Sequence, residues 1–296
     1  MLMCGLLYSQ AVVLTNAKPD YFSEGALLRH MQSLSSDAFQ GRRTGTKGAA
    51  KANKYIVNQF YSLKVLPITK NYLQPFSFAY EAKEYKGVNV LGLIKGSSFP
   101  EKYIVISAHY DHEGVKQGEI FNGADDNASG VSALFGFAEY LKNYPPNHSV
   151  ILAAFDAEEL GLKGSGYFVN HPIVPLDKMV LNINMDMISR SDKKELYVVG
   201  TSENKNLKHL VQTIKTPNSI KLMLGHDGYD SLENWTYASD HANFYKKSIP
   251  FLYFGVEDHK DYHEPTDVYE NIHPQFYIEA VKTIISVFKN IDGSDF

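Results

Sequence analysis

Residues 103–130 open with Tyr103-Ile104-Val105-Ile106-Ser107-Ala108-His109-Tyr110-Asp111-His112-Glu113-Gly114. A short polar loop follows, then Asn122-Gly123-Ala124-Asp125-Asp126-Asn127-Ala128-Ser129-Gly130. Residues 103–107 are a run of β-branched and aromatic side chains, the pattern of a buried strand. The run stops at His109 and Asp111. In open α/β sheets ligands bind outside the carboxyl ends of strands, so both side chains stand where chemistry is expected. Asp125-Asp126-Asn127 then precedes a helix predicted over 129–142. Two adjacent acids beside an amide and glycines suit a turn that brings oxygen ligands close to a cation. A lone Asp-Asp-Asn is more simply a helix N-cap, and His-x-Asp is common in a chain with 11 histidines. The surrounding sequence decides between these readings.

Upstream, residues 72–79 and 87–95 read as strands. The close succession of 87–95 and 103–107 predicts a hairpin. Helices are expected over 23–34 and 49–63, joined by a Gly-rich basic loop at 36–48. That loop lacks the order of a phosphate loop, and its Arg42 and Arg43 are expected to pair with acids of the fold. Downstream, residues 149–156 are continuously apolar, the mark of a strand buried on both faces. They run into Asp156-Ala157-Glu158-Glu159-Leu160-Gly161, with a helix starting near Gly164. Residues 179–187 form a strand with Asp186 near its end, followed by a short strand at 195–200 and a helix at 207–215. Residues 225–238 are irregular and aromatic-rich. Ser239-Asp240-His241 caps a short helix, and residues 249–254 make the last strand. His263-Glu264-Pro265-Thr266-Asp267 lies in the loop behind it, before an amphipathic helix at 274–290. Strands alternate with helices, so the fold class is α/β: a single domain with a mixed, mostly parallel central β-sheet and helices on both faces.

The chain has 296 residues, 44% hydrophobic and 21% charged, with a net charge of -4. That is ordinary globular composition. Without a Lys/Arg cluster, nucleic acid is not an expected partner. The single cysteine, Cys4, rules out an intramolecular disulfide and a cysteine-based zinc site, so a metal would have to use histidines and carboxylates. Residues 2–14 are largely apolar and precede Thr15-Asn16-Ala17, which reads as a secretory leader over residues 1–17 and predicts a periplasmic or secreted protein. The alternative is a cytoplasmic protein with an N-terminal arm. The apolar run is too short for a stable membrane span. Oligomeric state is not specified.

Histidines and carboxylates recur where strands end: His109, Asp126, Glu158 with Glu159, Asp186 and His263. Loops at strand ends gather on one edge of such a sheet. Two His, two Asp and one Glu suffice for two zinc-like ions with one carboxylate between them, and the other member of the Glu pair is then free to act as a general base. His and carboxylate donors suit zinc, with Co2+ or Mn2+ as possible substitutes. Taken alone, Glu158-Glu159 is a solvated helix start with acids at the positive end of the dipole. Its place after a fully apolar strand, among four other metal-type residues, favours chemistry.

The chain resembles the M28 family of zinc exopeptidases, which includes bacterial leucyl-type aminopeptidases. The resemblance runs from about Asp37 to Asn290. It rests on Ala-His-Tyr-Asp-His, Asn-Gly-Ala-Asp-Asp-Asn-Ala-Ser-Gly, Ala-Glu-Glu-Leu-Gly-Leu-Lys-Gly-Ser, Asn-Met-Asp-Met, Ser-Asp-His and Tyr-His-Glu-Pro-Thr-Asp, in that order. It implies a zinc-dependent exopeptidase fold over 18–296, with an N-terminal helical lead-in at 18–86 and a catalytic core at 87–296. It also implies two Zn2+: His109 and Asp186 on one, Glu159 and His263 on the other, Asp126 bridging, and Glu158 as general base. Asp111 would orient the metal-binding histidine. Asp240, His241 and Asp267 would support the site, and Tyr237 is the candidate donor to the oxyanion. His112 is given no ligand role. The expected substrates are peptides with a free N-terminus. The alternatives are a glutaminyl cyclase-like acyltransferase with one zinc, a carboxypeptidase or dipeptidase using a cation such as Arg190, and a non-catalytic receptor-like domain.

Overall fold

The structure, a computed structural model, describes residues 21–215 and 219–294. The leader expected over residues 1–17 lies outside the described residues. Two amphipathic helices come first, α1 (Glu24–Leu34) and α2 (Lys47–Ser62). The hydroxyls of Ser23 and Thr46 cap them by accepting the amides of Ala26 and Ala49. Then follow β1 (Leu66–Pro67), β2 (Leu73–Tyr80), β3 (Lys83–Ile94), β4 (Phe99–His109) and a small hairpin of β5 (Gly114–Lys116) and β6 (Glu119–Phe121). The second half holds α3 (Gly130–Asn143), β7 (His148–Phe155), α4 (Lys163–Asn170), β8 (Met179–Met185), β9 (Glu195–Val199) and α5 (Lys205–Gln212). It ends with β10 (Lys221–Leu224), α6 (His241–Tyr245), β11 (Phe251–Gly255) and α7 (Pro274–Asp292).

The main sheet has nine strands among the described residues, in the order β1-β3-β7-β4-β8-β11-β9-β10, with β2 also paired to β3. The central β7, β4, β8 and β11 are mutually parallel, while β3 and β9 run against them on either side. The expected mixed sheet is present. Residues 66–80 of the lead-in add β1 and β2 to its edge. The hairpin predicted between 87–95 and 103–107 does not form, because β7 lies between β3 and β4. The amides of Gly96, Ser97 and Phe99 bond to Ser149, Pro146 and Asn147 at the start of β7 instead of closing a turn. The connection thus crosses the end of that strand and carries the chain to its far side.

Alternation along the strands divides the core. Ile104, Ile106, Val150 and Leu152 face α1, α2, α3, α5 and α7, while Val105, Ile151 and Phe155 face α4 and α6 through Phe168 and Phe244. Every residue of β7 is buried, as its unbroken apolar pattern requires. In α7, Pro274 occupies the first turn, where its missing N–H costs nothing. Phe276, Ala280, Ile284, Phe288 and Ile291 form its buried stripe. The link from β4 to β7 passes through α3 on one face, and the link from β7 to β8 through α4 on the other. The chain therefore reverses direction across the sheet beside β4, which opens a crevice at that strand's carboxyl end.

Candidate active site

His109 is the last residue of β4 and sits at this crevice. Asp186 follows β8, Glu158 and Glu159 follow β7, and His263 stands on the loop after β11. Because these strands are parallel, their ends meet at one edge. His109 Nε2 lies 3.1 Å from Asp186 Oδ1 and 3.2 Å from Asp126 Oδ1. His263 Nε2 lies 3.2 Å from Asp126 Oδ2 and 3.5 Å from Glu159 Oε2. The two oxygens of Asp126 thus serve the two histidines separately. All five expected ligands and Glu158 line one cavity of about 100 Å³. Larger cavities of 470 and 620 Å³ lie beside Tyr245 and Tyr144. Neither has a histidine in its lining, so volume does not mark the chemistry here.

The donor spacing tests whether zinc fits. Zinc bonds to N and O ligands are about 2.0–2.2 Å long and tetrahedral, which puts neighbouring donors about 3.3–3.6 Å apart. The four separations above, 3.1–3.5 Å, lie within about 0.2 Å of that range. The set fits with small side-chain adjustments.

Supporting bonds fix these side chains. His109 Nδ1 is 3.1 Å from the main-chain oxygen of Asp111, an N–H···O contact that leaves Nε2 free for a ligand. The Asp111 carboxylate, expected to orient the histidine, stands 3.7 Å from Nδ1 as an ion-pair partner. It also accepts the amides of Glu158 and Glu159 and the hydroxyl of Thr44. Thr44 also donates to Asp156, which accepts from Tyr110 and the Val88 amide as well. The carboxylate of Asp267 accepts the amides of Asp125 and Asp126 and so shapes the turn that presents Asp126. Asp125 faces away, accepting from Ser189 and lying 3.0 Å from His259 Nε2. Arg43 pairs with Glu113 as expected. Arg42 does not pair with an acid: its guanidinium is buried and donates to the carbonyls of Leu34, Tyr110, Asn122 and Gly123, tying both halves of the first motif to the lead-in.

Two positions differ from expectation. Tyr237 is exposed and packs edge-on against Tyr245, outside the cleft. The turn from Trp235 to Ala238 places those two residues inward and Tyr237 outward. The phenols in the cleft belong to Tyr253 and Tyr262. Burial and the nearby acids raise both well above an ordinary tyrosine, so both keep their protons. His112 has more than a bystander's place. It is buried, with Nδ1 2.8 Å from Glu159 Oε1 and 3.6 Å from Asp126 Oδ2. A histidine next to Asp111 in the same motif was the available signal. Asp240 and His241 are buried behind the cleft. His241 Nε2 reaches the carbonyl of Trp235, and burial lowers its pKa to about 3, so it stays neutral.

Electrostatics mark the cluster as a proton or cation trap. Burial pushes Glu158 well above an ordinary carboxyl, and Asp186, Glu159 and Asp240 add to this against the opposing pull of His109. Burial raises Asp156 and Asp240 to about 7. Burial alone would lower His263, but Asp126 and Glu159 outweigh it and raise it to about 9. Groups raised on folding add stability that is complete below their unfolded pKa and lost as pH rises through the folded one. That window runs from 3.8 to about 7 for the two aspartates and from 6.5 to about 9 for His263. Below pH 6.5 the lowered His241 opposes the aspartates, so the metal-free protein is expected to melt at progressively lower temperature from about pH 6.5 to about pH 9, with bound metal flattening the slope. Melting curves with and without chelator test this; a chelated protein that gains stability across that range contradicts it.

A family model described as peptidase family M28 matches residues 89–288. Aminopeptidase YwaD of Bacillus subtilis is 32% identical over 195 residues, 62% of this chain and 40% of that protein. The chain thus spans less than half the length of this relative. The structure of a zinc aminopeptidase from Bacillus subtilis superposes with a TM-score of 0.72 at 18% identity, covering 92% of this chain and 96% of that one. Porphyromonas gingivalis glutaminyl cyclase also gives 0.72, at 19% identity, covering 91% and 99%. Overall shape is common to both and does not separate their chemistries.

Proposed function

The chain belongs to peptidase family M28, and from that premise we propose that it is a zinc-dependent aminopeptidase that removes the N-terminal residue of peptides. The observation that carries this reading is the lining of the catalytic cavity: two histidines, five acids and no Lys or Arg among the described residues. Such a cleft accommodates a free α-ammonium group and offers no Lys or Arg to a substrate carboxylate. Arg190, the cation a carboxypeptidase would need, is held by Asp261 and lines a neighbouring cavity.

In this reading His109 and Asp186 would hold one ion, Glu159 and His263 would hold a second, and Asp126 would be shared between them. A bound zinc pair would acidify water and polarise the scissile carbonyl. Glu158 takes the proton from the attacking water and delivers it to the leaving amine. Tyr253 and Tyr262 keep protonated hydroxyls at the cleft, where they can donate to the developing oxyanion. The completeness of both ligand sets supports two ions over the single ion of a cyclase. The apolar stretch at residues 2–14 supports export, hence action outside the cytoplasm; detecting mature cytoplasmic protein with Met1 attached would count against it.

Aminoacyl-arylamides are expected to be hydrolysed and their N-acetyl counterparts spared, with activity lost to chelator and restored by zinc. Equal cleavage of blocked and free substrates would overturn the aminopeptidase assignment. Formation of pyroglutamyl peptide from Gln-initiated substrates would favour the cyclase.

A further inference from the structure

We propose that Asp258 makes this site selective for a basic first residue, lysine or arginine, by receiving the cationic end of that side chain. The inference rests on the aminopeptidase reading for its substrate, and on three observations for its content. The catalytic cavity, about 100 Å³, adjoins a second of about 290 Å³ lined by Arg190 to Lys193 and Glu257 to Lys260. Alone, the first is smaller than the roughly 300–1,000 Å³ typical of ligand sites; joined, the two reach that range. Asp258 is the one residue that lines both.

The path to Asp258 is apolar. Met187, Trp235 and Val256 are buried walls of the catalytic cavity, with Tyr262 beside them. A methylene stem packs on such a surface while its charged head seeks a polar end, which is the construction of lysine and arginine. Asp258 itself is exposed, and among the described residues no hydrogen bond or ion pair engages its carboxylate. Local charge agrees. In the second cavity Arg190 is already matched by Asp261 and His259 by Asp125, which leaves Lys193 and Lys260 beside four acids, Asp192, Glu195, Glu257 and Asp258. Leucine would fill the apolar walls but leave this carboxylate without a partner.

The test pairs lysine with norleucine, which has the same stem without the charge. Zinc-loaded protein is expected to hydrolyse lysyl-arylamide with higher kcat/KM than norleucyl-arylamide. Asp258→Asn should lower that ratio by about 5–10-fold, and Asp258→Glu should restore it. Calorimetry with L-lysinamide and L-norleucinamide gives a readout independent of turnover, and the same preference, lost in Asp258→Asn, is expected there. A wild-type preference for norleucine, or a ratio unmoved by Asp258→Asn, overturns the proposal. If neither arylamide is cleaved but lysinamide still binds more tightly through Asp258, the aminopeptidase reading fails while the role of Asp258 stands.

Discussion

Replacing Glu158 by Gln is expected to leave the metal content of the protein unchanged and to lower kcat by about 10²–10⁴-fold, the usual range for removing a general base. The geometry separates the two effects. The expected ligand next to it is Glu159, whose carboxylate meets His112 and His263. Glu158 lines the same cavity, but burial, with Asp186, Glu159 and Asp240, raises its proton affinity against the pull of His109 instead of committing it to one partner. Both backbone amides are anchored on Asp111, so the turn does not depend on the side chain being exchanged. An amide of nearly the same shape keeps the packing and removes only the proton acceptor. Metal analysis by plasma emission beside steady-state kinetics decides the matter. Full turnover in Glu158→Gln would remove the base from this scheme, and loss of metal would make it a ligand.

Asp126→Asn is expected to weaken both metal sites together, each by about 10–100-fold or more. The scale follows from outer partners of a metal ligand, whose loss costs about 10–100-fold in affinity; a carboxylate shared between two ions should matter no less. Its two oxygens each lie 3.2 Å from a different histidine. Asn keeps one oxygen and turns an N–H donor toward the other position, where a cation would be repelled. His263→Ala provides the contrast, since it touches only one half of the site and should release one ion. The fold is expected to survive Asp126→Asn, because Asp267 holds this turn through main-chain amides. Titration with zinc while counting bound ions distinguishes the cases: loss of a single ion in Asp126→Asn would mean that it does not bridge.

Much of the site was legible because its residues sit beside regular elements. His109 ends a strand of β-branched residues, and Glu158 and Glu159 follow a strand buried on both faces. Period-two alternation and unbroken apolar runs identify such strands, and parallel strands deliver their ends to one edge. Tyr237 was misread because it lies in irregular chain, where no periodicity gives side-chain direction. Which tyrosine reaches the cleft depends on the turn around Trp235. The hairpin between 87–95 and 103–107 failed for a related reason. Sequence proximity favours pairing of neighbours, but the bonds from Gly96, Ser97 and Phe99 to the start of β7 carry the chain past that strand.

By itself the sequence determined the fold class and which metal-type side chains stand beside strand ends or a helix start, since these follow from local pattern and residue chemistry. Only the tertiary structure decided that Asp126 turns one oxygen to each histidine, that Arg42 braces the motif through carbonyls, that Tyr253 and Tyr262 and not Tyr237 line the cleft, and that Asp258 lines two cavities. Those outcomes depend on the directions of side chains on loops brought together from distant parts of the chain. Such directions are set by hydrogen bonds and packing that exist only once the sheet has assembled.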